Sequence, residues 1–365
     1  MKIQTVQRFH RQGWELSNDK LALVILAGGG HLAELRLAGG PAVNPFWIPG
    51  WRTIEPGAYR KQDAARYGIP LLASLAGHSL CLGAFGDPSA EEEAAGLGCH
   101  GEAPVARWRL LKKSLSARRL SVRLGCELPI ARMSFTRTVT LEAGSSVVRL
   151  REEVISRARC DLPFTMCQHV SLGAPFVEPG VTVFDMPARQ GHTFPGAFGR
   201  PQRLRHDRAF QWPQAPGANG KPVDLRFAGR SVYGDYTANR IDPRREQAWF
   251  SALNPKQGLL LAYVWRRSDY PWVGIWEENR SRKALPWNGK TVARGMEFSN
   301  APFPEGLRGA VTRGTFQGEP TFRWLPALGR AVFEYALLAL PAAADSRGVA
   351  DIRPRGKAFD IDIVV

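Results

Sequence analysis

The sequence predicts an all-β protein, a large antiparallel β-sandwich with almost no helix. Segments of alternating apolar and polar residues recur along the chain, and the clearest one places Met133 and Phe135 on one face of a strand and Ser134 and Thr136 on the other. Glycine (37 residues) and proline (27 residues) are plentiful and spread out. This is expected where many short strands need many turns.

The predicted strands follow one another with turns between them. In chain order the clearest are residues 21–27, 31–37, 133–141, 147–155, 258–265, 272–276, 293–298 and 330–340. The glycine triplet at residues 28–30 lacks the spacing and the following lysine of a phosphate-binding loop, so it is interpreted as a turn.

Two other segments have a different character. Residues 88–96 (PSAEEEAAG) are compatible with one short helical turn. Residues 185–221 combine many prolines, glycines and arginines, which indicates an irregular excursion. Long irregular loops in compact proteins are usually functional, so we expect this one to cover the mouth of a pocket.

The chain of 365 residues shows no internal repeat, no low-complexity segment and no linker. Its hydrophobic fraction of 44% and charged fraction of 22% are ordinary for a globular protein. All-β sandwiches often exceed 200 residues as a single unit, so residues 1–365 are predicted to form one domain.

The net charge of +16 comes mostly from scattered arginines, most densely in residues 107–119. A surface for nucleic acid or for anionic substrates is one interpretation of this stretch. A solvated strand and hairpin face is the favoured one, because no helix-turn-helix, zinc-finger or RNA-binding signature accompanies it. No specific nucleic-acid partner is expected.

The five cysteines are odd in number and form no CxxC pair, so neither a disulfide framework nor a zinc knuckle is indicated. The first residues contain no apolar stretch typical of a secretory signal. The longest apolar runs are shorter than the roughly 20 residues that a membrane span needs. A cytoplasmic protein without a membrane partner is expected.

Three polar residues stand out by context. His100 lies in a glycine-flanked loop (GLGCHGEAP), His169 lies on a strand that ends in a glycine turn, and Glu297 lies on a strand between Met296 and Phe298. An acid on a strand whose other face is apolar must point to solvent or into a polar cavity. Taken alone, a strand histidine is more often structural, and a strand glutamate usually faces solvent.

The order of these motifs resembles aldose 1-epimerases and related galactose mutarotase-like proteins. The resemblance rests on three motifs, which are the pair His100-Gly101, His169 in QHVSLGAPF and Glu297 in GMEFSNAPFP. The opening strand–glycine–strand unit, followed by Asn44-Pro45 and Trp47, is similar as well. The resemblance spans roughly residues 20–340 and implies the large β-sandwich, or supersandwich, of the galactose mutarotase-like type.

The chain also departs from the family pattern. The arginine-rich segment that precedes the first histidine in classical aldose 1-epimerases is replaced by AARYGIPLLASLAGHSLCL, which contains His78. Met166, Cys167 and Gln168 stand where an asparagine-rich signature surrounds the second histidine. The identity of the sugar and the retention of catalysis are therefore open at this point.

The resemblance implies a role for each of the three residues. Glu297 would be the base that removes the anomeric hydroxyl proton, His169 the acid that protonates the ring oxygen, and His100 a group that holds the ring oxygen or a neighbouring hydroxyl. Histidine and glutamate suit such work because modest shifts bring both pKa values near neutral. No metal and no organic cofactor is implied.

Four further residues are candidates for substrate binding. One of them is Trp276, which lies in a short span that also contains Trp265, Trp272 and Trp287. Trp276 is the best candidate for an aromatic platform that stacks against a sugar ring, with core packing as the alternative. The other three candidates are His78, Gln168 and His192.

Three functions follow as hypotheses. The first is an aldose 1-epimerase-like mutarotase or related sugar isomerase, and the second is a non-catalytic carbohydrate-binding protein on the same scaffold. The third is a metal-dependent enzyme that uses His100, His169, Glu297 and His192, although no HxH or HxxxH spacing supports it. The expected partner is a neutral or anionic saccharide.

Overall fold

Antiparallel strand pairing organises the whole chain, with 50% of the residues in strands and 8% in helices. The structure is a computed structural model and describes all residues, Met1–Val365. The prediction of an all-β antiparallel sandwich with almost no helix is confirmed.

The strands of the first half of the chain are β1 (Lys2–Arg8), β2 (Arg11–Ser17), β3 (Leu21–Leu26), β4 (Leu32–Leu37), β5 (His78–Gly83), β6 (Arg109–Leu115), β7 (Arg119–Leu128), β8 (Met133–Glu142), β9 (Val147–Ser156), β10 (Leu162–Gly173), β11 (Val183–Asp185), β12 (Ala188–Thr193) and β13 (Ala209–Gln211). Those of the second half are β14 (Gln214–Pro216), β15 (Pro222–Asp224), β16 (Tyr233–Ile241), β17 (Gln247–Asn254), β18 (Leu259–Arg266), β19 (Trp272–Asn279), β20 (Val292–Ser299), β21 (Thr315–Phe316), β22 (Glu319–Pro320), β23 (Arg323–Leu325), β24 (Arg330–Pro341), β25 (Gly348–Arg355) and β26 (Ala358–Val364).

The helices are short and lie in the connections between strands. They are α1 (Ala64–Tyr67), α2 (Pro70–Ser74), α3 (Ala90–Ala94) and α4 (Gly306–Arg313), with 3-10 turns at Pro56–Ala58, Lys61–Asp63 and Ala103–Val105. None of them has the length and apolar character that crossing a membrane requires.

Two large sheets carry the architecture. The first has 14 strands, in the order β1-β2-β3-β4-β5-β10-β20-β19-β16-β12-β13-β14-β15, with β23 also paired to β10. The second has eight strands, in the order β11-β17-β18-β24-β9-β8-β7-β6. The hairpin β25–β26 packs Val349 and Ile352 against the outer face of the second sheet at β17 and β18.

The predicted local elements agree well with these strands. The segments 21–27, 31–37, 133–141 and 147–155 correspond to β3, β4, β8 and β9. The helical turn expected in residues 88–96 is α3. Ser89 caps it by accepting from the Glu92 backbone N–H at 3.3 Å, while the Glu92 carboxylate accepts from the Ser89 N–H at 2.8 Å. The irregular excursion at 185–221 is wrong in part, because it contains β12, β13 and β14.

A buried polar network joins the two sheets inside the apolar core. Arg137 Nε donates to Glu152 Oε1 at 2.6 Å, and both side chains are fully buried. Gln168 Nε2 donates to Glu152 Oε2 at 2.6 Å, and the Gln168 Oε1 lies 2.9 Å from His78 Nε2. The Tyr263 hydroxyl lies 3.0 Å from His78 Nδ1. Each buried charge is therefore paired, as an apolar interior requires.

We expect Glu152→Gln to lower the free energy of unfolding by about 3–5 kcal/mol, because it leaves the Arg137 guanidinium buried without its counter-charge. Denaturant unfolding measures this change. The matched control is Glu334→Gln, which removes a carboxylate that is 64% exposed and pairs with Arg151 at 3.4 Å. That change should cost about 0–1 kcal/mol. Equal stabilities of the two variants would contradict the role assigned to the network.

Candidate functional site

The site is built on the central strands of the larger sheet, where β10 pairs with β20 and β20 pairs with β19. In the antiparallel register His169 lies directly opposite Glu297, and Glu297 lies opposite Gly274. Because side chains alternate along a strand, His169 points to the face of the sheet opposite to that of Gln168. The two functional candidates thus share the outer face, away from the network between the sheets.

A cavity of ≈ 390 Å³ opens on this outer face. It is lined by Ile69, Leu71, Leu72, Leu75, Gly86, Asp87, Cys99, His100, His169, Phe194, Ala197, Phe198, Tyr236, Trp276, Arg282, Trp287, Glu297 and Pro304. The structure therefore brings His100, His169, Glu297 and Trp276 together in one cavity. Phe194, Ala197 and Phe198 come from the 185–221 segment, which borders the cavity as expected.

His169 and Glu297 form a close buried pair. His169 Nε2 lies 3.0 Å from Glu297 Oε1, and the other ring nitrogen, Nδ1, lies 3.1 Å from Ser171 Oγ. Burial raises the pKa of Glu297 well above its ordinary value and lowers the pKa of His169 to about 4. Both shifts favour the uncharged pair, with the proton on the carboxyl group, over the pair of carboxylate and imidazolium.

Glu297 Oε1 has no hydrogen-bond donor aligned with it, although the atom is buried. Two glycines keep the surrounding space open. A side chain at Gly274 would collide with the Tyr236 hydroxyl, and one at Gly295 would collide with the Glu297 carboxylate. The arrangement leaves the carboxyl group able to accept a hydrogen bond from a hydroxyl that enters the cavity.

His100 is held by a reciprocal contact with Gly86. The His100 N–H donates to the Gly86 carbonyl at 2.8 Å, and the Gly86 N–H donates to His100 Nδ1 at 3.0 Å. Since Nδ1 accepts, the ring proton is on Nε2, which makes no hydrogen bond within the protein. Burial lowers the pKa of His100 to about 3, so the ring stays a neutral donor. Its centroid lies 5.3 Å from that of His169.

His100 has a backbone φ of 66°, in the left-handed region, and Gly101 follows with a φ of 78°. Tertiary contacts therefore hold the loop in a conformation that few non-glycine residues adopt. This loop conformation places the His100 ring in the site, and Gly101 permits the turn because glycine adopts a positive φ readily.

Tryptophan rings form one wall of the site. Trp276 lies 5.8 Å from the His169 ring and 6.1 Å from Trp287. Trp287 stacks on Trp47 at 5.8 Å and meets Trp51 edge-on at 5.2 Å. Trp276 is only 5% exposed, so it serves both as packing and as part of the cavity wall.

Arg282 lies over this wall with unused hydrogen-bonding capacity. Its guanidinium carbon is 4.7 Å from the centroid of Trp287 and 5.7 Å from that of Trp276. Its Nε is 3.5 Å from Glu278, whose carboxylate already accepts from the N–H and hydroxyl of Ser281. The two terminal nitrogens of Arg282 make no hydrogen bond within the protein and are available to a ligand.

Three candidates do not reach the cavity. His78 and Gln168 lie in the network between the sheets, and both side chains already have hydrogen-bond partners there. Gln168 cannot reach the cavity because its side chain points to the opposite face of β10 from that of His169. His192, on β12, packs against Phe303 and Phe316 and lies 3.6 Å from Asp207. The prediction that these three side chains contact the ligand is therefore not supported, because none of them lines the cavity.

Several lining residues were missed by the sequence analysis, above all Arg282, Asp87 and Tyr236. Arg282 stands in the loop between β19 and β20, and the only signal in the sequence is its place between Trp276 and Trp287. Tyr236 shares a face of β16 with Ala238, which by pattern alone is indistinguishable from core packing. No group of three or more His, Cys, Asp or Glu side chains is arranged to hold a metal ion.

Comparison with known proteins finds similar structures but no similar sequence. No protein-family model matches the chain, and no curated protein matches it. A candidate aldose 1-epimerase of Klebsiella pneumoniae superimposes with a TM-score of 0.65 at 13% identity, over 92% of this chain and 81% of that chain.

Two further solved structures have the same fold as this chain. A galactose mutarotase-like protein of Clostridium acetobutylicum gives a TM-score of 0.60 at 12% identity, over 93% of this chain and 99% of that chain. A galactose mutarotase related enzyme of Lactobacillus acidophilus gives 0.55 at 13% identity, over 91% and 98%. At such identities the likeness is one of fold. The chain therefore has the fold of the galactose mutarotase-like proteins.

Proposed function

We propose that the protein is an aldose 1-epimerase-like mutarotase, or a related sugar isomerase, that interconverts the anomers of an aldose. The observation that carries the proposal is the buried pair of His169 and Glu297, whose nearest atoms are 3.0 Å apart. Mutarotation needs one group that accepts a proton and one that donates a proton, and it needs no net exchange with solvent. A pair that shares one proton supplies both functions.

The reaction begins when the anomeric hydroxyl of the sugar donates a hydrogen bond to Glu297 Oε1. This contact stabilises the carboxylate, so the proton moves to His169 Nε2. The carboxylate then takes the anomeric hydroxyl proton, and the His169 imidazolium protonates the ring oxygen as the bond from the anomeric carbon to that oxygen breaks. The open-chain aldehyde rotates about its first carbon–carbon bond and closes on its other face by the reverse steps.

His100 and Arg282 bind the sugar in this proposal. The Nε2–H of His100 is a neutral donor suited to the ring oxygen or a neighbouring hydroxyl, and it stays neutral because burial holds its pKa at about 3. The free terminal nitrogens of Arg282 donate to oxygens at the other side of the ring. Trp276 offers an apolar face to the C–H groups of the sugar.

Glu297→Gln is expected to slow anomer exchange by about 10²–10⁴-fold while sparing sugar binding, because the amide keeps the size of the side chain but cannot accept the proton. His169→Asn should have a similar effect through loss of the acid. Polarimetry or NMR exchange spectroscopy measures the rate, and calorimetry measures binding. The control is Glu93→Gln, an exposed glutamate of α3.

A wild-type protein that exchanges anomers alongside a fully active Glu297→Gln variant would refute the assigned base. A wild-type protein that binds sugars and accelerates no anomer exchange would instead support the alternative function, a carbohydrate-binding protein on the same scaffold.

The pH profile of kcat/KM should have an acid limb and an alkaline limb, since this ratio reports the free enzyme and the reaction needs the pair with one proton. The rate should fall at acid pH as His169 protonates, with its pKa of about 4, because the doubly protonated pair has no base. It should fall again at high pH, above the raised pKa of Glu297, because the pair then has no acid. An acid limb centred near 6.5 would mean that His169 is not buried as described.

Arg282→Gln is expected to raise KM about 10–100-fold with a much smaller change in kcat, because it removes charge-assisted hydrogen bonds to the bound sugar. Steady-state kinetics separate the two constants. Lys283→Gln is the matched control, since Lys283 belongs to the same loop but is exposed outside the cavity. A loss confined to kcat would show that Arg282 acts on the reacting atoms.

A further inference from the structure

A cavity lies on the outer face of the eight-stranded sheet, and none of the residues that line it also lines the cavity of His169 and Glu297. It has a volume of ≈ 780 Å³ and adjoins a second depression of ≈ 340 Å³, with Arg119 and Thr138 lining both. The β25–β26 hairpin forms one wall, through Lys357 in its turn and Phe359 in β26. We call this combined depression the cross-strand groove.

The strand register arranges polar side chains in two rows across the groove. The first row runs Lys112, Arg123, Thr138, Arg151 and Glu334, one residue from each of β6, β7, β8, β9 and β24. The second row runs Ser114, Ser121, Thr140 and Arg149 on the first four of these strands. Neighbouring strands are about 4.8 Å apart, so a chain lying across them meets a new polar side chain at each such step.

The groove has an excess of positive charge. Seven basic residues line it (Lys112, Arg119, Arg123, Arg149, Arg151, Arg266 and Lys357), against three acidic ones (Glu142, Asp269 and Glu334). Arg123 and Arg151 are both paired with Glu153, at 2.9 and 2.5 Å. Lys112, Arg119, Arg149 and Arg266 have no carboxylate within 4.0 Å. Arg149 Nη2 donates to the Lys357 carbonyl at 2.6 Å, and the charges of all four residues are available to an anionic ligand.

We propose that the cross-strand groove binds a linear acidic polysaccharide, a chain of carboxylate-bearing sugars that runs across the strands. The length of one pyranose in an extended chain is close to the distance between strands, so successive rings meet successive strands. The unpaired guanidinium and ammonium groups then bind carboxylates, and the serine and threonine hydroxyls bind ring hydroxyls.

A nucleic acid fits the groove less well. Single strands bind proteins largely by stacking their bases on exposed aromatic rings. Here Trp265 and Tyr335 are 1% and 4% exposed, and the guanidinium of Arg149 covers Phe359, with its carbon 5.8 Å from the ring centroid. The interleaved hydroxyls instead match a ligand that is rich in hydroxyl groups.

The test measures binding of a fluorescently labelled six-residue oligogalacturonate to the full chain at about 0.15 M salt, where long-range attraction between exposed charges is screened. The test variant combines Lys112→Gln, Arg119→Gln and Arg266→Gln, three cations whose removal leaves no carboxylate unpaired. The matched control combines Lys61→Gln, Arg200→Gln and Lys221→Gln, which removes the same charge from exposed positions outside the groove.

We expect the wild type to bind the hexamer, the test variant to bind it about tenfold more weakly, and the control to match the wild type within about twofold. Galacturonic acid monomer and a neutral glucan hexamer should bind much more weakly than the acidic hexamer. Both variants should keep any anomer-exchange activity, so this proposal and the proposed function fail independently.

Three outcomes would overturn the proposal. The first is no binding of the acidic hexamer by the wild type. The second is an equal loss in the control variant, which would mean attraction by net charge alone. The third is tighter binding of a single-stranded oligonucleotide that the test variant loses, which would assign the groove to nucleic acid.

Discussion

The pleat of β10 is the constraint on which the rest of the structure depends. This strand pairs with β5 on one side and β20 on the other, and its successive side chains point to opposite faces of the sheet. Gln168 enters the network between the sheets, while the next residue, His169, enters the cavity. A slip of one residue would place either His169 against Glu152 or Gln168 against Glu297, depending on its direction, and either slip would disrupt both the network and the site. The Arg137–Glu152 pair favours the observed register, because Gln168 Nε2 donates to Glu152 Oε2, the carboxylate oxygen that Arg137 does not contact.

Much of the fold was predictable, because alternation and turn residues are local signals. The strands β3, β4, β8 and β9 follow directly from them, and the capped turn α3 follows from Ser89 and Glu92. The excursion at 185–221 was less predictable, since β12 and β13 are short and β12 pairs with β16, which is distant in sequence. The single-domain assignment of residues 1–365 stays a prediction.

The site was predictable only where a family motif pointed to it. Pattern alone left His100, His169 and Glu297 indistinguishable from structural residues, and the resemblance singled them out. The interpretation of Gln168 as a ligand contact was avoidable, since adjacent strand residues cannot face the same cavity. Arg282 was not predictable, because its position depends on how the loop between β19 and β20 lies over the tryptophans, which is set by tertiary contacts.

The tryptophan wall has a practical consequence. Trp47, Trp51, Trp276 and Trp287, four of the chain's eleven tryptophans, contact one another beside the cavity, and a guanidinium lies against two of them. Indole emission responds to nearby charge and to water. A ligand that draws the Arg282 side chain toward itself, or displaces solvent from Trp276, therefore changes the ultraviolet emission of this cluster. The intrinsic fluorescence of the protein therefore reports whether the cavity is occupied, which allows unlabelled compounds to be screened for binding.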